Sequence, residues 1–152
     1  MKIIAVSDNH GNEMVLKKIL QDHPNADYYF HLGDSEMDIK ELRPFCSVRG
    51  NVDFDYELPS EKIVDVKNHR ILLTHGNIYS GDPNLIVNSA RQQGCDVAIF
   101  GHTHRFLDKT INGIRIINPG SCRHSKDMTP ASYAVITIND RDLISVERVN
   151  IL

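Results

Sequence analysis

The chain has 152 residues, with 17 Lys and Arg against 20 Asp and Glu, which gives a net charge of −3 at pH 7. The length suits one domain, and we expect residues 1–152 to form a single one. Hydrophobic residues make up 41% and charged residues 24%, which is ordinary globular usage and excludes disordered and collagen-like chains. The acidic balance argues against stable nucleic-acid binding.

The cysteines and the N-terminus bear on location. Cys46, Cys95 and Cys122 are widely spaced and contain no Cys-x-x-Cys pair, which is typical of reduced thiols in the cytoplasm. The apolar run from Ile3 to Val6 is too short for a signal peptide, and no apolar run reaches the length of a transmembrane helix. We therefore expect a cytoplasmic protein without a membrane partner.

Five short apolar runs, each ending in polar residues, predict buried strands. They are IIAVSDNH from Ile3, YYFHLGDS from Tyr28, CSVRGNVD from Cys46, ILLTHGN from Ile71 and VAIFGHTH from Val97.

Two helices are predicted between these runs. Residues 12–22 (NEMVLKKILQD) have amphipathic spacing and are followed by Pro24 as a stop. Asp82 and Pro83 open a second helix over NLIVNSARQQ, and Gly94 ends it. A short third helix is expected over Met37–Leu42, before Pro44.

The second half of the chain has a different pattern. The segments FLDKTINGIRIINPGS, ASYAVITI and LISVERVN predict strands, with hairpin turns at Asn112-Gly113 and at Asn139 to Asp142. Alternating strands and helices followed by antiparallel strands indicate an α/β fold. We predict a four-layer α-β-β-α sandwich of two packed mixed sheets with flanking helices.

Residue types that bind metal ions follow the apolar runs. They are Asp8, His10, Asp34, Asn51, His75, His102 and His104. Ligands of α/β sheets collect outside the carboxyl ends of strands, so we expect these side chains to converge. Four His and two Asp without Cys suit borderline cations such as Mn, Fe, Co, Ni or Zn. An isolated His or Asp at a strand end is usually a surface residue or a helix cap, so the interpretation depends on the recurrence.

Local geometry adds two expectations. The pairs Asp8-x-His10 and His102-x-His104 should lie on extended backbone, which would project both ligands of a pair to one side. We expect Gly11, Gly33, Gly50, Gly76 and Gly101 to allow the backbone to approach closely.

Other polar residues have two interpretations each. Asn9 and Asp53 are predicted to contact substrate or to support the ligands, with simple turn roles as the alternative. Arg49 is predicted to contact phosphate, with a structural ion pair as the alternative. His31 and His69 are expected to be structural.

The five blocks DNH at Asp8, GDS at Gly33, GNVD at Gly50, THGN at Thr74 and GHTH at Gly101 resemble, in this order, those of calcineurin-like metallophosphoesterases. The short length, the GNVD variant and NPGS from Asn118 are similar to the YfcE-like phosphodiesterase subgroup. The resemblance implies one metal ion on Asp8, His10 and His104 and another on Asn51, His75 and His102, with Asp34 bridging both.

Two divalent ions would leave a positive pocket that attracts phosphate. The sequence therefore predicts a dinuclear-metal-dependent phosphodiesterase that hydrolyses small phosphodiesters by attack of a metal-bound hydroxide, with the seven ligands as catalytic residues. We expect Mn, with Ni, Fe, Co or Zn as alternatives. Many relatives of the superfamily carry a histidine at Val52, positioned to protonate the departing oxygen.

Alternative functions stay open at this point. One is a phosphomonoesterase. Another is a non-catalytic protein-binding scaffold similar to the retromer subunit of the same fold, although the four ligand histidines argue against it. The sequence also leaves open whether the chain forms a homo-oligomer.

Overall fold

The computed structural model describes residues 1–126 and 128–151. The strands are β1 (Lys2–Val6), β2 (Tyr28–His31), β3 (Cys46–Ser47), β4 (Glu61–Val66), β5 (His69–Thr74), β6 (Val97–Ile99), β7 (Phe106–Ile111), β8 (Ile114–Pro119), β9 (Ser132–Ile138) and β10 (Ile144–Asn150). The helices are α1 (Glu13–Asp22), α2 (Pro83–Gln92) and a short 3-10 helix (Asn77–Tyr79). No helix in the described ranges is long and apolar enough to cross a membrane.

The strands form two five-stranded sheets, in the orders β10-β9-β1-β2-β3 and β4-β5-β6-β8-β7. In the first sheet β1, β2 and β3 are parallel, whereas β9 runs antiparallel to both β1 and β10. In the second sheet β5, β6 and β8 are parallel, and β4 and β7 are antiparallel to their neighbours. Both sheets are therefore mixed, as predicted.

The two sheets pack face to face because alternate strand residues point into a shared core. On β1, Ile3 faces this core and Ile4 packs with α1. On β5, Leu73 faces the shared core and Leu72 packs with α2. The layers therefore run α1, first sheet, second sheet, α2, which confirms the predicted four-layer sandwich.

The helices predicted over residues 12–22 and after Pro83 both form, with side-chain caps at their N-termini. Asn12 accepts a hydrogen bond from the Val15 amide at the start of α1 (3.3 Å), and Asp82 accepts one from the Asn84 amide at the start of α2 (2.9 Å). These caps satisfy N–H groups that lack a helical partner.

The predicted third helix was wrong, because residues 37–42 form turns. Two of the backbone amides donate to side chains, Met37 N–H to Ser35 Oγ (3.1 Å) and Ile39 N–H to Asp55 Oδ2 (2.8 Å), whereas Leu42 N–H makes a helix-type bond to Asp38 O (3.2 Å). Tertiary contacts thus replace the local ladder on which a helix depends.

Two strands differ from expectation. β3 has only two residues; beyond it the Val48 amide still donates to His31 O of β2 (3.0 Å), and the Arg49 amide, on the opposite side, donates to Pro59 O (2.8 Å). β4 was not predicted; it is a mostly exposed edge strand in which Glu61, Lys62 and Asp65 weaken the apolar pattern.

Candidate metal centre

The predicted ligands all follow the carboxyl ends of strands, and the structure brings their loops together. Asp8 and His10 follow β1, Asp34 follows β2, Asn51 follows β3, His75 follows β5, and His102 and His104 follow β6. Two groups of ligand atoms result, each within 4.8 Å: the Asp8 group (Asp8, His10, His104) and the Asp34 group (Asp34, His75, His102).

Distances within the Asp8 group match those of ligands around one ion. His104 Nε2 lies 3.3 Å from Asp8 Oδ1 and 3.3 Å from His10 Nε2, and His10 Nε2 lies 3.8 Å from Asp8 Oδ1. Ligands bound at about 2.0–2.1 Å from a tetrahedral Zn²⁺ would lie roughly 3.3 Å apart. Asp8 Oδ1 is buried without a hydrogen-bond partner among the described residues, which leaves it available to a cation.

The Asp34 group lies directly beside the Asp8 group. His75 Nε2 is 3.1 Å from Asp34 Oδ2 and 3.9 Å from Asp8 Oδ1, and Asn51 Oδ1 is 3.2 Å from His102 Nδ1. Asn51 therefore lies where its carbonyl oxygen can join this group. The bridging role of Asp34 stays a prediction.

A hydrogen bond on the far side of the His75 ring fixes which of its nitrogens faces the metal centre. His75 Nδ1 donates to Leu32 O (2.6 Å), which leaves the Nε2 lone pair for the ion. Burial opposes protonation of His75, but Asp34 and Asp8 outweigh it and raise its pKa. Metal binding at His75 should therefore release a proton.

Glu36 orients another ligand and was missed by the sequence reasoning. Its Oε1 lies 3.0 Å from His10 Nδ1, so that His10 Nε2 faces the Asp8 group. A carboxylate behind a metal-binding imidazole holds the ring and raises its basicity. The available sequence signal is the position of Glu36, two residues after Asp34 in the same loop.

Asp8 is held by its second oxygen. Ser7 Oγ donates to Asp8 Oδ2 (2.5 Å), and the His102 amide donates to the same atom (3.1 Å). Because Oδ2 is satisfied in this way, Oδ1 is left to the centre. In the NPGS segment, Ser121 Oγ donates to Asp8 O (2.8 Å) and Asn118 Nδ2 to Gly101 O (2.9 Å), so this segment supports the ligand loops.

The expectation of extended backbone at the paired ligands was wrong. Asp8, His10, His102 and His104 have φ values of 57°, 44°, 69° and 60°, and Asp34 has 56°. These values lie in the left-handed region, which costs a non-glycine residue about 1–3 kcal/mol. Left-handed residues reverse the chain sharply, and so the ligands converge from tight turns instead of from strand alternation.

Gly50 shows how closely the loops approach. A Cβ atom there would lie 2.1 Å from Asp34 Oδ1 and 2.5 Å from Asp34 N. No side chain fits at that distance, which confirms the expected close approach at Gly50; at Gly11 the expectation was wrong, because a Cβ atom there would meet nothing within 4 Å.

Asp53 and Asn9 lie beneath the centre. Asp53 Oδ2 accepts from the amides of Gly50 (2.7 Å) and Asp34 (2.9 Å), and Asp53 Oδ1 accepts from Glu36 N (2.8 Å). Asn9 is fully buried and accepts from His31 Nε2 (2.8 Å). Both arrangements favour a role in supporting the ligand loops. Contact of either residue with the substrate stays a prediction.

Arg49, His31 and His69 lie outside the two ligand groups. Arg49 Nη1 donates to Leu58 O (3.1 Å), and its phosphate contact stays a prediction. Burial lowers the pKa of His31 to about 4, so His31 is neutral and accepts from the Gly33 amide (3.1 Å). His69 is hydrogen-bonded to Asp96 (2.6 Å).

The fold is a four-layer sandwich with two adjoining groups of His and Asp at its strand ends. The family model for the calcineurin-like phosphoesterase superfamily domain matches residues 1–141, and the chain belongs to this superfamily.

Individual relatives support this placement. The chain is 33% identical to the probable metallophosphoesterase YsnB of Bacillus subtilis, covering 92% of this chain and 86% of YsnB. It is 27% identical to the phosphodiesterase YfcE of Escherichia coli, covering 99% of both chains.

Solved structures share the fold. A predicted phosphoesterase of Streptococcus pneumoniae superposes with a TM-score of 0.89 at 24% identity, covering 98% of this chain and 88% of that one. Wild-type Vps29 of Entamoeba histolytica, solved with Zn²⁺, superposes with a TM-score of 0.74 at 23% identity over 99% of both chains.

Proposed function

We propose that the chain is a phosphodiesterase that uses two divalent transition-metal ions to hydrolyse small phosphodiesters. Mn is the expected metal, and Ni, Fe, Co or Zn are the alternatives. The observation that carries this proposal is the contact between the two ligand groups. Asp8 Oδ1, a buried oxygen without a hydrogen-bond partner in the described ranges, lies 3.3 Å from His104 Nε2 and 3.9 Å from His75 Nε2. Two cations can share such a site, because their ligands face one space from both sides.

The protein residues set the charge of the pocket. When bound, divalent ions supply Lewis acidity toward a phosphoryl oxygen and activate water. The ligand set contributes only two carboxylates, Asp8 and Asp34, so the loaded pocket keeps a positive charge that attracts phosphate.

Asp34 is held in its charged form. Burial opposes its ionisation, but hydrogen bonds from His75 and from the Val52 amide (3.0 Å) outweigh burial and lower its pKa. An ionised Asp34 is the form that a metal ion requires.

A non-catalytic protein-binding scaffold is the second candidate, and the Vps29 neighbours fit it. Against this candidate, the ligand set is complete and its buried histidines are oriented from behind, as at His75 by Leu32 O. A phosphomonoesterase would use the same metal centre. We propose that the substrate is a small molecule. The proposal includes no stable binding to nucleic acid and no membrane partner.

Metal analysis combined with hydrolysis tests the proposal. After reconstitution with Mn²⁺ we expect two ions per chain, and faster hydrolysis of bis-p-nitrophenyl phosphate than of p-nitrophenyl phosphate. Asp34→Asn should remove activity and lower metal occupancy together. Asp65→Asn is the matched control, because Asp65 is an exposed strand residue paired only with Arg70 in the described structure.

Three outcomes would contradict parts of the proposal. One ion or fewer per chain under saturating Mn²⁺ would exclude the dinuclear site. Full metal loading without hydrolysis of either ester would favour the scaffold. Faster hydrolysis of the monoester would favour the phosphomonoesterase.

A further inference from the structure

A cavity of about 330 Å³ is lined by the same two loops that carry metal-centre ligands. One is loop 34–40, which begins at Asp34, and the other is loop 50–57, which contains Asn51. The lining residues are Asp38, Ile39, Lys40, Phe54, Asp55 and Glu57. The volume falls within the range of about 300–1,000 Å³ found for small-ligand pockets.

Carboxylates fix the two loops side by side. Asp53 accepts hydrogen bonds from the amides of Asp34 (2.9 Å) and Glu36 (2.8 Å), and Asp55 Oδ2 accepts one from Ile39 N (2.8 Å). The loops therefore run together from the metal ligands to the cavity, and the cavity wall is formed before any ligand binds.

The cavity is within reach of the metal centre. Phe54 is the third residue after Asn51, so their Cα atoms lie at most about 10–11 Å apart. A nucleotide with its phosphate at the metal centre can span a distance of this size with its sugar.

The exposed side chains of loop 50–57 are suited to a planar ring. Val52 is 46% exposed and Phe54 is 61% exposed. The Phe54 ring has no aromatic or cationic partner among the described residues, whereas the exposed Tyr56 ring is covered by the Arg49 guanidinium at 4.8 Å. Nucleobases stack on such free aromatic faces.

Lys40 supplies a polar contact at the same cavity. It is exposed and forms no ion pair within residues 1–126 and 128–151. Its ammonium group can therefore donate to the carbonyl oxygen or ring nitrogen of a base, whereas the three carboxylates of the lining, Asp38, Asp55 and Glu57, can only accept hydrogen bonds.

We propose that this cavity is a base subsite, in which Phe54 stacks on the nucleobase of a phosphodiester and Lys40 donates to its acceptor atoms. The substrate class is then nucleoside phosphodiesters. This inference rests on the proposed function, because a phosphate at the metal centre sets the position of the base.

Calorimetric titration of the Mn²⁺-loaded protein with thymidine 5′-phosphate and with methyl phosphate tests the subsite. The wild type should bind the nucleotide more tightly. Phe54→Ala should weaken nucleotide binding by about 5- to 100-fold, the range expected for loss of base stacking, and leave methyl phosphate binding unchanged. Phe54→Tyr keeps the ring and should keep the preference. Leu143→Ala is the matched control, since Leu143 is also 61% exposed but lies outside the cavity lining.

The outcomes separate this inference from the function on which it rests. Equal binding of both phosphates by the wild type, or equal losses for both in Phe54→Ala, would overturn the base subsite alone if methyl phosphate binding still requires Mn²⁺. Failure of methyl phosphate to bind in the presence of Mn²⁺ would overturn both the subsite and the proposed function.

Discussion

Replacing Gly50 by alanine is expected to displace Asp34 and weaken metal binding. The new Cβ would lie 2.1 Å from Asp34 Oδ1, whereas ordinary contact begins at about 3.4 Å, so one of the two must move by about 1.3 Å. Asp34 cannot move freely, because its amide donates to Asp53 Oδ2 (2.9 Å) and its Oδ1 accepts from the Val52 amide (3.0 Å).

The size of the effect follows from this displacement. Loss of the contacts that orient a metal ligand typically costs about 10–100-fold in metal affinity, and we expect a loss of this size in Mn²⁺ affinity. Overpacking should also destabilise the metal-free protein by about 1–3 kcal/mol. Gly50→Ala therefore combines weaker metal binding with a lower unfolding midpoint.

Mn²⁺ titration against a competing chelator and urea unfolding of the metal-free form measure the two effects. Gly113→Ala is the control: its Cβ meets nothing within 4 Å, but its φ of 82° makes alanine strained. It should lower stability by about 1 kcal/mol without changing metal affinity. Wild-type metal affinity in Gly50→Ala would refute the argument that close packing of these loops positions Asp34.

Three further predictions concern charge and proton transfer. Glu36→Gln removes the carboxylate behind a ligand imidazole and should weaken metal affinity by about 10–100-fold in the same chelator titration. Burial opposes protonation of His69, but Asp142 O and Asp96 outweigh it and raise its pKa above 6.5. Its stabilisation is therefore complete below the unfolded pKa and is lost as pH rises through the folded value, so the stability difference between wild type and His69→Gln in urea should shrink from pH 6 to pH 9. Val52 cannot protonate a leaving group, so rates across a series of aryl and alkyl esters should fall as leaving-group pKa rises, and Val52→His should flatten that dependence.

Each of these expectations has a clear contrary result. Unchanged metal affinity in Glu36→Gln would mean that the ring of His10 is held by other contacts. A stability difference at His69 that grows with pH would reverse the assigned direction. Wild-type rates independent of leaving-group pKa would mean that another acid operates or that chemistry is not rate-limiting.

The parts of the fold that follow from the periodicity of apolar residues and from the positions of strand ends were predictable. Ile3 and Ile4 alternate between two apolar layers, and Asp34, His75 and His102 follow buried strands, so strand ends located the site. The parts set by tertiary contact were not. The amide of Ile39 is taken by Asp55, sixteen residues away, which no local pattern of residues 37–42 encodes.

The backbone conformation of the ligand residues could not be predicted from the sequence either. Asp8 and His10 carry β- or turn-compatible patterns; in the structure their φ values are left-handed, and their amides donate to the distant carbonyls Gly33 O (3.0 Å) and Asp34 O (3.1 Å). Glu36 was missed because its position two residues after Asp34 is the only signal in the sequence, and that position does not reveal that its carboxylate lies behind His10.

At the ligand positions with left-handed backbone, the residues that metal binding requires lower the stability of the metal-free protein. Asp8, His10, Asp34, His102 and His104 are all strained non-glycine residues, at about 1–3 kcal/mol each, while an entire domain is stable by only about 5–15 kcal/mol. Glycine at a partly buried member such as His10 would relieve that strain in the metal-free chain. A selection for heat resistance without metal would therefore enrich variants that have lost the centre, and only a selection that requires the ion would retain these residues.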